Sequence, residues 1–256
     1  TNESKKLISK EDFISRNKNI YEGIEKEEKL QNECKEKAEK NIVNKVVVIT
    51  GGSRGIGAEI VKKLDRDNYR VILNYNKSEN EAKNIKEDLQ KNNINIEIFK
   101  ADVSKREEVK GLIDFAINKF GKIDVLINNA GISQAKLFTD LTDEDWNDMI
   151  QTNLTSAFYC TQEAIKNMIS RKEGLIINIS SIWGVTGSSC EVHYSVAKAG
   201  IDGMTKALAK EVGPSNIRVN SIAPGIIDTD MNKTYTDKEI KDIIEDIPLN
   251  KIGKKV

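Results

Sequence analysis

The segment "CEVHYSVAK" at residues 190–198 places a tyrosine four positions before a lysine. A phenol, with an unperturbed pKa of about 10, is a poor proton donor at neutral pH unless its anion is stabilised. A lysine at i+4 on a helix lies on the same face, about 5–6 Å away at Cβ, and its cation lowers that pKa. Tyr194 and Lys198 could therefore form an acid-catalysis pair. A chain with 40 basic residues also produces such a pair by chance, so the neighbouring motifs must decide.

A glycine-rich segment, "TGGSRGIGAEI", follows the apolar run "VVVIT" and precedes an amphipathic stretch. One glycine permits the tight strand-to-helix turn, and another lets backbone N–H groups approach a pyrophosphate. A third lets the helix pack close to the sheet, with its positive N-terminal end facing the phosphates. Because Gly51, Gly55 and Gly57 lie between a predicted strand and a predicted helix, they predict a dinucleotide site.

The segment after the second predicted strand bears on which dinucleotide is bound. Many NAD-binding Rossmann domains place an acidic residue there, where it binds the ribose 2′-OH. Here "ILNYNKS" offers Asn74, Tyr75, Asn76 and Lys77, and no carboxylate. Arg54 in the glycine turn and Lys77 could meet a 2′-phosphate instead. The sequence therefore predicts NADP(H) rather than NAD(H).

From Lys45 onwards, short apolar runs alternate with amphipathic segments, and no repeat competes with that pattern. Short runs rich in β-branched residues that alternate with helices indicate a parallel sheet covered on both faces. The predicted fold class for residues 45–256 is α/β, a doubly wound parallel-sheet Rossmann fold. The strand candidates are 45–50, 70–75, 96–101, 124–130, 174–180 and 217–224; the helix candidates lie near 56–67, 79–91, 105–119, 143–170, 193–212 and 236–246.

Residues 1–44 differ from the rest of the chain. They hold ten acidic and ten basic residues, one glycine and no proline. We expect a solvated N-terminal arm, helical or disordered, which cannot bury a core by itself. A helix that binds a partner is the alternative. The weak apolar stripe that suggests a helix consists of Phe13, Ile20, Ile24, Leu30, Cys34, Ala38 and Ile42.

Further motifs fall at the carboxyl ends of predicted strands, where an open α/β sheet places its ligand crevice. They are "NNAG" at 128–131, "SS" at 180–181 and "APG" at 223–225, while "QTNL" at 151–154 lies in a long predicted helix. Together with the glycine turn and the Tyr194–Lys198 pair, they make the chain resemble the classical short-chain dehydrogenase/reductase family. The resemblance runs from about Lys45 to the last residue. It is closest to the 3-oxoacyl-acyl-carrier-protein reductases and acetoacetyl-CoA reductases.

The resemblance implies a catalytic set for reducing a ketone, which needs a hydride at carbon and a proton at oxygen. Tyr194 would be the proton donor, and Lys198 would also hold the nicotinamide ribose. Ser181, thirteen positions before the tyrosine, would hydrogen-bond the substrate oxygen where negative charge develops. Asn153 would hold a water in a proton relay.

The resemblance also implies cofactor contacts along the predicted crevice. The 129–131 segment would pass beside the ribose, 102–103 would flank the adenine, and 224–229 would contact the nicotinamide end. The candidate cofactor-binding residues are Gly51, Ser53, Arg54, Gly55, Ile56, Gly57, Asn74, Asp102, Val103, Asn129, Ala130, Gly131, Tyr194, Lys198, Pro224, Gly225, Ile227 and Thr229.

The composition argues against several classes of protein. Basic and acidic residues balance at 40 each, so no global field attracts nucleic acid or an anionic membrane. Three widely spaced cysteines and a single histidine offer neither a disulfide framework nor a metal site, and we expect no metal. The sequence shows no membrane-spanning run and no signal peptide, which favours a reducing, cytoplasmic setting. We assign no catalytic role to His193, because adjacent helical residues point to different faces.

The resulting hypothesis is an NADPH-dependent ketoreductase that converts a 3-oxoacyl thioester, on acyl-carrier protein or CoA, to the 3-hydroxyacyl product in fatty-acid biosynthesis. One alternative comes from residues 187–195, "GSSCEVHYS", which resemble the active-site loop of reductases acting on 5-aminopentanone-modified elongation factor P. A non-catalytic dinucleotide-binding module is the other. The family pattern normally continues past "IPLNKIGKKV" into a further helix and strand. We therefore expect a chain truncated before the last strand, poorly stable and weakly active alone, and a homotetramer or dimer when complete.

Overall fold

The structure is a computed structural model that describes residues 45–64, 69–92, 94–230 and 236–254. The predicted arm, with its helical stripe and its partner-binding alternative, lies outside these residues. Six strands within the described residues form one parallel sheet in the order β3-β2-β1-β4-β5-β6. This order is the doubly wound one, so the predicted Rossmann-type α/β fold is confirmed. The strands are β1 (Lys45–Ile49), β2 (Tyr69–Tyr75), β3 (Asn95–Lys100), β4 (Val125–Asn128), β5 (Gly174–Ile179) and β6 (Ile217–Ile222).

Helices connect the strands and cover the sheet. Each parallel pair needs a crossover, and the helices supply it. A helix after β6 precedes the last described residues. The helices are α1 (Gly55–Lys63), α2 (Glu79–Lys91), α3 (Arg106–Phe120), α4 (Asp143–Ile150), α5 (Ser156–Arg171), α6 (Ile182–Thr186), α7 (Val192–Val212) and α8 (Asp237–Asp246).

Both faces of the sheet bury apolar side chains, which explains the unbroken apolar runs of the strands. Successive residues of β1 alternate between the faces, as the pleat requires. Val47 and Ile49 pack in a cluster with α1 and α2. Val48 packs on the other face, in a cluster with residues of α3, α5 and the end of α7.

The long helix predicted at 143–170 is interrupted. A π-helical turn, Gln151–Thr155, separates α4 from α5. The short helix α6 was not predicted at all. Two predicted strands also extend two residues too far at their carboxyl ends, because residues 129–130 and 223–224 leave the sheet there. These departures all fall on one edge of the sheet.

The opposite edge of the sheet holds an ion cluster around one buried carboxylate. The Asp124 carboxylate, 3% exposed, accepts a hydrogen bond of 2.8 Å from the backbone N–H of Val46. Its oxygens also lie 3.0 Å from Arg171 Nη1 and 2.9 Å from Lys122 Nζ. The cluster joins the starts of β1 and β4 to the end of α5.

No helix within the described residues has the length and apolar character needed to cross a bilayer.

Candidate active site

The glycine turn is pressed against the end of β4. Gly51 has a φ of +61°, and a methyl group there would lie 2.9 Å from Ala130 Cα. A methyl group on Gly57 would lie 2.4 Å from Asn129 Nδ2 and 2.5 Å from the Gly51 carbonyl oxygen. No side chain larger than hydrogen fits at either position without a shift. The turn thus exposes bare backbone before the N-terminus of α1, the arrangement that a pyrophosphate needs.

Two asparagines hold this turn. Asn74, 2% exposed, accepts a hydrogen bond of 3.3 Å from the Gly51 N–H and donates one of 3.0 Å to the Ala101 carbonyl. Asn129 donates from Nδ2 to the carbonyls of Thr50 and Gly51, both at 3.0 Å. We predicted both asparagines as cofactor contacts. The structure shows their amides bonded to backbone, because three loop segments converge here and their polar groups must be satisfied.

The predicted adenine end lies between the glycine turn and the loop after β3. Asp102 accepts hydrogen bonds from the Ser104 N–H at 3.1 Å and from the Ser104 hydroxyl at 2.6 Å, which fixes this loop. Val103 is 6% exposed and its side chain belongs to the core, so only its backbone can face a ligand. Arg54, just before α1, and Lys77, just after β2, are both exposed.

Ser181, Tyr194 and Lys198 converge where β5 ends. Ser181 is the N-cap of α6, and its Oγ accepts a hydrogen bond of 3.2 Å from the Trp183 N–H. Tyr194 and Lys198 lie one turn apart on α7 and are 9% and 5% exposed. The Lys198 ammonium donates to the Ile179 carbonyl at 2.7 Å and lies 5.7 Å from the centroid of the Tyr194 ring.

The environment of this group changes two pKa values. Burial raises the pKa of Tyr194; a hydrogen bond with the Ser181 hydroxyl lowers it, and the Glu191 carboxylate raises it further. Burial lowers the pKa of Lys198 to about 8, and the negative charge of Asp202 opposes that change. We predicted that Lys198 would lower the pKa of Tyr194. In this structure burial of the phenol dominates and raises the pKa of Tyr194 overall, and the contribution of Lys198 stays a prediction.

Asn153 lies in the π turn and is 2% exposed. Its Oδ1 accepts from the Ile132 N–H and its Nδ2 donates to the Ile132 carbonyl, each at 2.8 Å. Both ends of the amide thus fix the loop after β4. A methyl group on Gly131 would lie 2.6 Å from Asn153 Oδ1 and 3.7 Å from Lys198 Nζ, so Asn153 adjoins the catalytic candidates. Gln151, in the same turn, donates to the Ser104 carbonyl at 2.6 Å.

The segment after β6 closes the predicted nicotinamide end. The Pro224 carbonyl accepts a hydrogen bond of 2.9 Å from the Ile182 N–H at the start of α6. Thr229 reaches the glycine turn, since its Cβ would lie 3.7 Å from a methyl group on Gly55. Ile227 and Pro224 line an apolar cleft beside α1, together with Ile56. Two further candidates differ in burial: Ser53 is buried within the glycine turn, whereas Gly225 is exposed.

One group of neighbours escaped sequence analysis. His193 is fully buried, and its Nε2 lies 3.1 Å from Gln134 Oε1. Gln134 Nε2 in turn donates to Asp145 Oδ1 at 2.8 Å, and the Lys136 N–H donates to the Cys190 carbonyl at 2.7 Å. These bonds fasten the loop after β4 to α7 and to the start of α4. Their one sequence signal is the capping box formed by Thr142 and Asp145.

Comparison with known proteins identifies the class of this fold and site. A profile of the short chain dehydrogenase family matches residues 45–240. The chain therefore belongs to the short chain dehydrogenase family, which confirms the resemblance found in the sequence. It is an oxidoreductase of CH–OH and C=O groups that works with a nicotinamide dinucleotide.

Individual relatives are similar over most of their length. The 3-oxoacyl-[acyl-carrier-protein] reductase FabG of Staphylococcus epidermidis (strain RP62A) is 37% identical over 212 residues, which cover 83% of this chain and 87% of that protein. The FabG of Chlamydia muridarum is 41% identical over 213 residues, covering 83% and 86%. The crystal structure of gox2181 superposes with a TM-score of 0.79 at 28% identity and covers 83% of this chain and 84% of its own.

Proposed function

We propose that this protein is an NADPH-dependent ketoreductase whose substrate is a 3-oxoacyl thioester. The convergence of Ser181, Tyr194 and Lys198 at the carboxyl end of β5, beside the glycine turn, is the observation that carries the proposal. The names of the FabG relatives support the thioester substrate class.

Each side chain has a chemical task in the reduction. The Tyr194 phenol is protonated at neutral pH and can donate its proton to a ketone oxygen; because burial raises its pKa, the phenolate that forms needs stabilisation. The Ser181 hydroxyl, in hydrogen-bond contact with that phenol, is placed to donate to the same oxygen as negative charge develops. The Lys198 ammonium supplies positive charge beside the ring and stabilises the phenolate left after proton transfer.

The crevice suits a dinucleotide along its whole length. The bare backbone at Gly51 and Gly57 and the N-terminus of α1 would hold the pyrophosphate. The exposed cations Arg54 and Lys77 would meet a 2′-phosphate at the adenine end. When bound, the reduced nicotinamide supplies the hydride. Lys198 and the 224–229 segment would hold that end of the cofactor.

The test is a continuous assay of NADPH loss over a panel of ketones, run for the wild type and for Tyr194→Phe. We expect turnover of acetoacetyl-CoA, with a preference for NADPH over NADH. We expect Tyr194→Phe to lose at least about 100-fold in kcat, because a positioned general acid contributes that much or more. NADPH fluorescence should show that this variant still binds the cofactor, because Tyr194 is only one of many candidate contacts and its ring is kept.

Other outcomes would point elsewhere. Turnover of 5-aminopentanone-modified elongation factor P without turnover of acetoacetyl-CoA would replace the thioester with a protein-borne ketone. Bound NADPH that no ketone oxidises would indicate a non-catalytic binding module.

A further inference from the structure

Asp202 lies one helical turn after Lys198 on α7 and takes no part in the site described above. Its Oδ2 accepts a hydrogen bond of 2.9 Å from the Ser180 hydroxyl. Its Oδ1 is buried and has no hydrogen-bond partner among the described residues. Asp202 as a whole is half-buried, and a buried carboxylate oxygen without a partner is costly, so its place beside a buried lysine calls for an explanation.

Ser180 links Asp202 to the catalytic candidates. It immediately precedes Ser181 at the end of β5, and its hydroxyl lies 3.2 Å from the Lys198 carbonyl oxygen as well as 2.9 Å from Asp202. The strand end that carries Ser181 is thus joined to the face of α7 that carries Lys198. Asp202 anchors that junction.

The charges around Lys198 leave Asp202 as its nearby compensating group. Of the elements in contact with α7, β5, α6 and the π turn contain no charged side chain, and β6 contains only Arg218, which is exposed. On α4, Asp145 is bonded to Lys136 of the loop after β4, and the remaining acids are exposed. On α7 itself the facing groups are Tyr194 and, at the N-cap, Glu191, whose charge acts on Tyr194.

We propose that Asp202 is a positioning residue that keeps the Lys198 ammonium charged and in place, through its own charge one turn away and through Ser180. At i+4 the two side chains share a helix face. Coulomb interactions are strong where water is excluded. Burial lowers the pKa of Lys198, and the charge of Asp202 partly reverses that change, which agrees with this geometry. The kinetic part of this proposal rests on the proposed ketoreductase function.

The decisive variant is Asp202→Asn, which keeps the shape and an acceptor for Ser180 but removes the charge. The first measurement needs no turnover: the Cε resonance of Lys198 is titrated by NMR in ¹³C-lysine-labelled protein and assigned by its loss in Lys198→Met. We expect the Lys198 midpoint to fall by about one pH unit, as removal of a nearby opposite charge does.

The second measurement is the pH dependence of kcat/KM for ketone reduction. The alkaline limb should move down with the Lys198 midpoint, because neutral lysine no longer stabilises the phenolate. We expect Asp202→Asn to lose about five- to tenfold of the wild-type kcat/KM on this limb and less than about twofold well below it. A merely structural role would lower activity by one factor at every pH.

Three matched variants separate the causes. Glu211→Gln likewise neutralises an acid, at an exposed position near the end of α7. It should change neither the Lys198 titration midpoint nor the pH dependence of kcat/KM. Asp202→Glu restores the charge and should return the midpoint towards the wild-type value; it also serves if Asp202→Asn does not fold, as judged by circular dichroism. Ser180→Ala removes the hydrogen bond but keeps the carboxylate, and should shift the midpoint less than Asp202→Asn does.

An unchanged Lys198 midpoint in Asp202→Asn would overturn the proposal, as would an equal shift in Ser180→Ala. Absence of ketone-dependent NADPH oxidation by the wild type would instead contradict the proposed function. The NMR titration would still decide the role of Asp202.

Discussion

Lys198 shows that a catalytic candidate can cost the fold stability. Its ammonium is 5% exposed, and burial lowers its pKa to about 8 from an ordinary value of about 10.4. Below about pH 8 the folded and unfolded chains both carry the charge, so the full burial penalty is present there. Between about pH 8 and 10 the folded chain releases this proton first, and the penalty is relieved.

We therefore predict that the free energy of unfolding of the wild type rises, relative to that of Lys198→Met, as the pH increases from about 7.5 to 9.5. One unit of pKa difference corresponds to about 1.4 kcal/mol, so the relative gain is on the order of 2 kcal/mol. Urea denaturation of both proteins at several pH values measures it. Other titrating groups are common to both proteins and cancel. A difference that stays constant across this range would contradict the prediction.

The residue-scale comparison of sequence with structure is instructive. The i+4 spacing was sufficient to place Tyr194 and Lys198 on one face of α7. It could not show the Ile179 carbonyl, which comes from β5 and sets the direction of the ammonium. The position of Asn74 at the end of the second predicted strand likewise singled it out, but could not show that its amide is bonded to the backbone of the glycine turn and of the loop after β3.

At the scale of elements, the short helix α6 owes its place to a close approach. A methyl group on Gly184 would lie 2.8–2.9 Å from backbone atoms of Lys198 and Ala199. This approach brings the helix that Ser181 caps directly against α7. A five-residue helix has almost no periodicity, which is why the sequence did not predict it.

We predict that Gly184→Ala destabilises the fold by about 1–3 kcal/mol, because the added methyl group must displace backbone. It should also lower kcat, since Ser181 and Lys198 are forced apart. Gly203→Ala is the matched control on α7, where a methyl group meets nothing within 4 Å. It should raise stability by about 0.5–1 kcal/mol, the usual gain when a helix-interior glycine becomes alanine. Thermal melts and ketone assays of both variants measure these effects; equal effects would refute the role assigned to Gly184.

At the scale of the whole molecule, the candidate active site and the Asp124 ion cluster lie at opposite edges of the sheet. The carboxyl ends of the strands carry the glycine turn and the Ser181–Tyr194–Lys198 group. The amino-terminal edge carries the Asp124 cluster, which joins β1, β4 and α5. The alternation of short apolar runs with amphipathic segments was enough to predict this architecture. Strands that are buried on both faces and separated by helices permit few other folds. The ion cluster could not be predicted, since Val46 and Arg171 are both far from Asp124 in the chain.

We predict that Asp124→Asn lowers the free energy of unfolding by about 1–3 kcal/mol, because it removes the buried charge that Arg171 and Lys122, both partly exposed, are paired with. At temperatures where the variant is folded, its kcat/KM should stay within about twofold of wild type, since the cluster is at the far edge from the crevice. Asp88→Asn, at an exposed pair with Lys91, should change neither quantity measurably. A large loss of kcat/KM in folded Asp124→Asn would contradict this division.

The π turn between α4 and α5 forms hydrogen bonds with two loops that line the predicted crevice. Gln151 donates a hydrogen bond to the loop after β3, at the predicted adenine end, and Asn153, two residues on, bonds the loop after β4, which we predicted to pass beside the ribose. Deleting one residue there would let α4 and α5 join into one regular helix, and the residues after the deletion would rotate by about 100° about its axis. At least one of the two sets of hydrogen bonds, that of Gln151 or that of Asn153, would then be lost. Loop lengths elsewhere can change during evolution or protein engineering, whereas we expect this stretch to resist insertion and deletion, because its five residues fix the distance between the two loops that it bonds.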